Sequence, residues 1–252
     1  MSGHSKWAGI KHKKAIVDAK RGQIFTKVAI ELTVAAREGG GDPTGNFRLR
    51  LAIQKAKDVN MPADNIERAI QRGVGGKEGT RLEEIRYEGY GPHGVAVLVD
   101  VLTDNRNRTV AAVRNLFTRS GGSLGETNSV GWLFDQRGIV SIDPRERDPD
   151  DLALELVGEV DLGEEGDVVV EQDEVKVITS PAHVEEARKN IEARGCAVTS
   201  AGIEMIPKTT VALDEKQSGP VLRLLENLEE LDDVQAVYAN ADIPDTMFDA
   251  VG

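Results

Sequence analysis

Six segments decide the fold: GIVSID (138–143), PDDLALELVGE (149–159), DVVVEQ (167–172), VKVITS (175–180), PAHVEEARKNIEARG (181–195) and CAVTSAGIEMIP (196–207). The first, third, fourth and sixth are rich in β-branched residues and read as strands. The second and fifth open on Pro149 and Pro181 and carry apolar residues at helical spacing. Ser180 is expected to cap the second of these helices. The order β-α-β-β-α-β is the ferredoxin-like one.

The flanks do not extend that unit. On its C-terminal side TTVALD (209–214) reads as a strand, PVLRLLENLEELDD (220–233) as a helix and VQAVYANAD (234–242) as a strand. On its N-terminal side the period switches at Leu82. IRYEGY (85–90) and VAVLVDVLT (95–103) read as strands, and NRTVAAVRNLFTRSGG (107–122) as a helix with Val110, Val113, Leu116 and Phe117 on one face. VGWLF (130–134) follows as a strand that is either continuous with GIVSID or broken from it at Gln136-Arg137-Gly138. The two flanks complete one another, so the ferredoxin-like unit is expected to be inserted into a discontinuous middle domain.

Upstream, the pattern is helical. Ile24, Phe25, Val28, Leu32, Ala35 and Ala36 share one face, and Gly39-Gly40-Gly41 stops the helix. A second helix runs from Asn46 through Ala56. A third opens with Pro62 at its first helical position and is expected to end at Gly73. The fold class is α+β: an N-terminal helical bundle, then a discontinuous α+β domain with an inserted ferredoxin-like domain. The expected boundaries are 1–17 for a basic flexible arm, 18–80 for the helical domain, 81–134 plus 207–252 for the middle domain and 135–206 for the insert.

The 252 residues carry a formal net charge of -12. Residues 1–80 hold 15 Lys and Arg against 8 Asp and Glu, a net of +7, which leaves -19 for the remainder. A cationic head on an acidic body suits a polyanionic partner. One cysteine, Cys196, allows neither an internal disulfide nor a cysteine metal cluster. No apolar run reaches the ~18 residues of a membrane span. No secretory signal is recognisable, so a cytoplasmic monomer is expected, with no membrane contact.

Motifs for small-molecule chemistry fail on context. Gly89-Tyr-Gly91-Pro-His-Gly94 matches a dinucleotide fingerprint but is followed by a strand rather than a helix, so it reads as a hairpin loop. Gly73 to Lys77 lacks the remaining Walker residues and reads as a linker. His4 and His12 make a poor metal pair on a mobile arm. Glu164, Glu165, Asp167, Glu171, Asp173 and Glu174 read as a solvated acidic edge. No catalytic set converges. The expectation is a non-enzymatic protein with no metal, no cofactor and no small-molecule substrate.

The basic constellation remains. Lys6, Lys11, His12, Lys13, Lys14, Lys20, Arg21 and Lys27 can neutralise phosphates without rigid geometry. Trp7 either stacks on an unpaired base or docks on the helical bundle. Arg48 and Arg50 lie on the second helix. Arg106 and Arg108 lie where a strand gives way to a helix, either meeting a phosphate or standing beside a cap made by Asp104 or Asn105.

GHSKWAGIKHKKAIVDAKRGQIFTK, ELTVAAREGGGDP, NMPADNIERAIQRG, YEGYGPHGVAVLVDVLTDNRNRT and SGGSLGETNSVGWLF resemble the YebC family over nearly the whole chain. Gly9 stands where many members carry Asn. That family includes bacterial proteins named as probable transcriptional regulators, and a mitochondrial relative that activates translation of cytochrome oxidase subunit one. The resemblance implies the same three-part fold. It also implies one of two activities: DNA binding at promoters, or ribosome association near the peptidyl-transferase centre on difficult sequences such as proline runs. No recognition helix with a readable base-contacting set is evident. A lysine-rich arm with one aromatic suits ribosomal RNA at least as well as DNA.

Overall fold

The computed structural model describes residues 18–75, 82–163, 166–171, 174–244 and 246–249. It divides into two compact units. One takes the chain up to Lys27, Lys77–Asp135 and Ile206 onward; the other takes Val28–Gly76 and Gln136–Met205.

Helix α1 (Asp18–Gly39) begins in the first unit and continues into the second at Val28, and there buries Val28, Leu32, Ala35 and Ala36 on one stripe. Asn46, itself buried, joins it to α2 (Phe47–Asp58). Its amide donates to the Ala35 and Gly40 carbonyls at 2.8 Å, and its oxygen accepts from the Leu49 amide at 3.0 Å. One side chain thus satisfies the end of one helix and the start of the next. Helix α3 (Ala63–Val74) has Pro62 at its cap rather than inside it, and runs past Gly73. Gly73, the penultimate residue of the helix, is buried, and a Cβ there would strike the Thr33 carbonyl and lie 2.8 Å from Ala36 Cβ. It is a contact glycine and not a terminator.

Strand β4 (Phe134–Asp143) is continuous through Gln136-Arg137-Gly138. Gly138 belongs there because a Cβ would lie 2.6 Å from both Thr179 Oγ1 and Val184 Cβ. Helix α5 (Pro149–Glu159) is capped by Asp148, which accepts from the Asp150 and Asp151 amides. Strands β5 (Asp167–Glu171) and β6 (Glu174–Thr179) form an antiparallel hairpin. Helix α6 (Val184–Ala193) begins later than expected. Ser180 Oγ bonds the His183 ring at 2.7 Å and does not cap helix amides, so Ser180 and Pro181 form a preceding turn. Strand β7 (Ala197–Pro207) completes the sheet order β5-β6-β4-β7, the ferredoxin-like one. Val140, Ile142, Val175 and Val177 meet Leu152, Leu156, Ala187 and Ile191 in one core, against which Phe47 and Leu51 of α2 also pack. Cys196 sits half-buried at its edge.

Glu171 is not a solvated edge residue. It is buried with Lys176, whose ammonium lies 2.9 Å from its carboxylate. Glu164, Glu165 and Asp173 lie outside the described residues.

In the first unit, β1 (Glu83–Tyr90) and β2 (Ala96–Thr103) pair antiparallel from Glu83↔Thr103 to Tyr90↔Ala96. A turn over Pro92–Gly94, with φ of 60° at His93 and 77° at Gly94, joins them. The glycine motif is therefore a hairpin loop. Helix α4 (Arg106–Arg119) leads to the two-residue strand β3 (Ser123–Leu124). After the insert come β8 (Val211–Ala212), α7 (Glu215–Glu229), β9 (Val234–Ala239), β10 (Ala241–Asp242) and the short α8 (Thr246–Asp249). The main sheet is ordered β3-β1-β2-β9, and β8 pairs with β10 in parallel. Val97, Val99 and Val101 of β2 meet Val113 and Phe117 of α4 and Leu224, Leu225 and Leu228 of α7.

Two predictions follow from this packing. Gly73→Ala should destabilise the protein by about 1–3 kcal/mol, because neither helix backbone can yield without repacking; a thermal or urea melt measures it. Burial pushes the Asp58 carboxyl up to about 6, against a hydrogen bond from Gln54. The fold holds this proton more tightly than the unfolded chain does. Its ionisation therefore erodes stability as the pH rises from about 4 through about 6. Asp58→Asn should raise the melting temperature at pH 7 and leave it nearly unchanged below pH 4.

Candidate nucleic-acid interface

The expected anion-binding residues fall into three groups. Lys6, Trp7, Lys11, His12, Lys13 and Lys14 lie outside the described residues. Lys20 and Arg21 sit in the first turn of α1. Lys27 is one turn further into that helix than Gln23, and its ammonium donates to the Glu229 carbonyl at 2.6 Å. That carbonyl ends α7, where a cation satisfies an orphan acceptor and complements the helix dipole.

Arg48 and Arg50 belong to the second unit. Arg48 pairs with Glu38 at 2.7 Å. Arg50 reaches Glu185 of α6 at 2.6 Å and the Pro43 and Thr44 carbonyls at 2.7 and 2.9 Å, and lies 5.6 Å over the Phe47 ring. Partial burial works against ionised Glu185, but hydrogen bonds from Lys189 and Arg50 outweigh it and hold the carboxyl below its ordinary range. Arg50 thus ties α2 to α6.

Arg106 and Arg108 open α4 in the first unit, with Asn105 as cap: its side chain accepts from the Arg108 amide at 3.0 Å. The Arg108 guanidinium grips Asp233 through both carboxylate oxygens, at 3.0 and 2.8 Å, and Asp104 at 2.9 Å. Asp233 also accepts from Thr109 at 2.6 Å and Thr103 at 3.1 Å. Burial works against this carboxylate, yet these donors hold it below its usual value. The cluster fixes the end of β2, the start of α4 and the approach to β9. Arg106, exposed, has no side-chain hydrogen-bond partner among the described residues. It faces an open groove of about 530 Å³, shared with Glu83, Arg86, Thr127, Asn128 and Gly131.

One wall of that groove is a loop whose organisation was not read from the sequence. Glu88 of β1 is 5% exposed, and its carboxylate accepts from the amides of Asn128, Val130 and Gly131 at 2.9, 2.9 and 2.6 Å. Burial raises its pKa, but the three amides prevail and hold it below the usual range. A buried acid in a strand is the signal that could have found it. Among the described residues no group of three His, Cys, Asp or Glu could hold a metal ion, and no helix is long and apolar enough to cross a membrane.

A run of helices followed by a four-stranded sheet whose strands flank an inserted ferredoxin-like sheet is the arrangement that defines the class of this protein. Residues 5–76 match the model of the TACO1/YebC protein N-terminal domain, and residues 82–241 that of the TACO1/YebC second and third domain. The chain belongs to the TACO1/YebC family. It is 55% identical over 242 residues to a probable transcriptional regulatory protein of Dehalococcoides mccartyi, covering 96% of this chain and 95% of that one. It is 50% identical over 253 residues to a protein of the same description from Moorella thermoacetica, covering 99% and 98%. A solved structure of a conserved hypothetical protein from Aquifex aeolicus is similar with a TM-score of 0.85 and 45% identity, over 95% of this chain and 97% of that one.

Glu88→Gln should loosen the loop. Amide hydrogen exchange at Asn128, Val130 and Gly131 should quicken at least about tenfold, with a loss of roughly 1–3 kcal/mol in stability. Because the folded carboxyl is depressed, the stability that Glu88 contributes is complete above about pH 4.5 and lost as the pH falls through its folded pKa. The variant should lack that part of the acid dependence.

Proposed function

We propose that this protein is a non-enzymatic, nucleic-acid-binding regulator of gene expression. It acts as a ribosome-associated translation factor that holds ribosomal RNA through its basic N-terminal head and eases the synthesis of difficult sequences. One observation carries the reading: a net +7 over residues 1–80 against -19 over the rest. A polyanion attracts the first and repels the second, so the protein approaches it head first. The cations outside the described residues are mostly lysines, which suit contact with a backbone more than with bases.

A second reading is a DNA-binding transcriptional regulator acting at promoters. It is favoured by the name that the bacterial relatives carry. Such a regulator should prefer one duplex by roughly 10³-fold or more over random duplex.

Ribosome co-sedimentation from lysate, with RNA crosslink mapping, decides between them. The native protein should travel with ribosomes and crosslink one ribosomal RNA region. Lys11, Lys13 and Lys14 changed together to Glu should abolish this while leaving the melting temperature within about 2 °C. Affinity for RNA should fall by ~10³ between low and moderate salt. No ribosome association, together with a strong preference for one duplex, would establish the promoter reading instead.

A further inference from the structure

Tyr90 and Trp132 are large side chains open to solvent, at 39% and 64%. Neither hangs freely. The Trp132 indole N–H donates to the Ser129 carbonyl at 3.2 Å, and the Tyr90 hydroxyl donates to the same oxygen at 3.4 Å. That carbonyl belongs to the loop whose neighbouring amides Glu88 fixes. Both aromatic side chains are therefore anchored by their polar tips to a locked backbone, with much of their ring surface left to solvent. Rings held this way lose little freedom on binding.

The loop also faces the groove along β1. Gly131, directly before Trp132, lines it with Thr127 and Asn128, together with the charged side chains of Glu83, Glu84, Arg86, Glu88 and Arg106. Ile85 is the apolar side chain among the groove's lining residues, so an apolar peptide would find little to bury there. Anchored aromatic faces on a loop rich in hydrogen-bonding groups instead match a nucleobase: a flat π-surface with polar edges.

We propose that Trp132, with Tyr90, is a stacking platform for an unpaired base of a single-stranded nucleic acid. This rests on the nucleic-acid reading above and adds a contact to it far along the chain from the N-terminal lysines. The lysines supply salt-sensitive attraction to any polyanion; the platform selects strands whose bases are unpaired.

The test uses the full chain and a labelled short single-stranded RNA, a duplex of the same length and a basic peptide. Trp132→Ala should weaken single-strand binding about tenfold, and Trp132→Phe should remain within about threefold of the native protein. Duplex affinity should be the same in all three. In a Trp7→Phe background Trp132 is the sole indole, and saturating single-stranded RNA should quench its emission. Equal single-strand affinity for the native protein and Trp132→Ala would overturn the platform while leaving the nucleic-acid reading intact. Emission changed by the basic peptide and not by RNA would make this a protein-docking surface. Absence of any RNA or DNA binding by the native protein would sink both.

Discussion

The pairing of β2 with β9 is the constraint on which the first unit rests. Val97 faces Ala239 and Val99 faces Val237, joining residues on either side of the inserted sheet. Asn240 clamps the end of this pairing: its side chain accepts from the Ala96 amide at 2.7 Å, and its own amide donates to the Ala96 carbonyl at 3.1 Å. Without β9, one edge of β2 would lie open, although β2 is buried over almost its whole length. Such a strand cannot stand at an edge without inviting another chain. The pairing also brings in α7, whose Leu224, Leu225 and Leu228 cover the same valines as Phe117. The long-range ladder thus creates the platform on which α4 and the Glu88 loop are mounted.

Charge is used in two ways. Arg50 and Arg108 spend their guanidinium groups on carboxylates of other elements, and Arg48 on Glu38. These contacts fix geometry at the partly exposed faces of each unit. Glu88 does the same from the opposite sign, an anion held by backbone amides as a bound ion would be. Cations that neutralise internal acids have less to offer a partner.

The ferredoxin-like order was legible because its strands are short β-branched runs and its helices carry apolar stripes. The insertion was legible because the flanking strands had no partners inside that unit. Contact glycines were not. Gly73 read as a stop and Gly138 left a break open, since a missing Cβ looks the same in sequence whether it permits a turn or a close approach. The roles of the arginines were hidden by distance: Glu185 lies 135 positions from Arg50, and Asp233 lies 125 from Arg108. The burial of Glu171 depends on a hairpin register that pairs it with Glu174 and leaves Lys176 diagonally beside it on the same face, where composition suggested only an acidic edge. Of the candidate interface, the residue types could be read, but not which cations fold into ion pairs or that Ser129 gathers two aromatic side chains.

The same discontinuity gives the chain a birth order. A ribosome delivers the insert's last strand, through Pro207, before any residue of β9 has been made. The guest sheet can therefore close while its host still waits for Val234 to Ala239, leaving β2 exposed on one side until those residues have emerged. Truncation ahead of Val234, even by a stop codon that spares every residue of the N-terminal helices and the insert, would strand that half-built sheet.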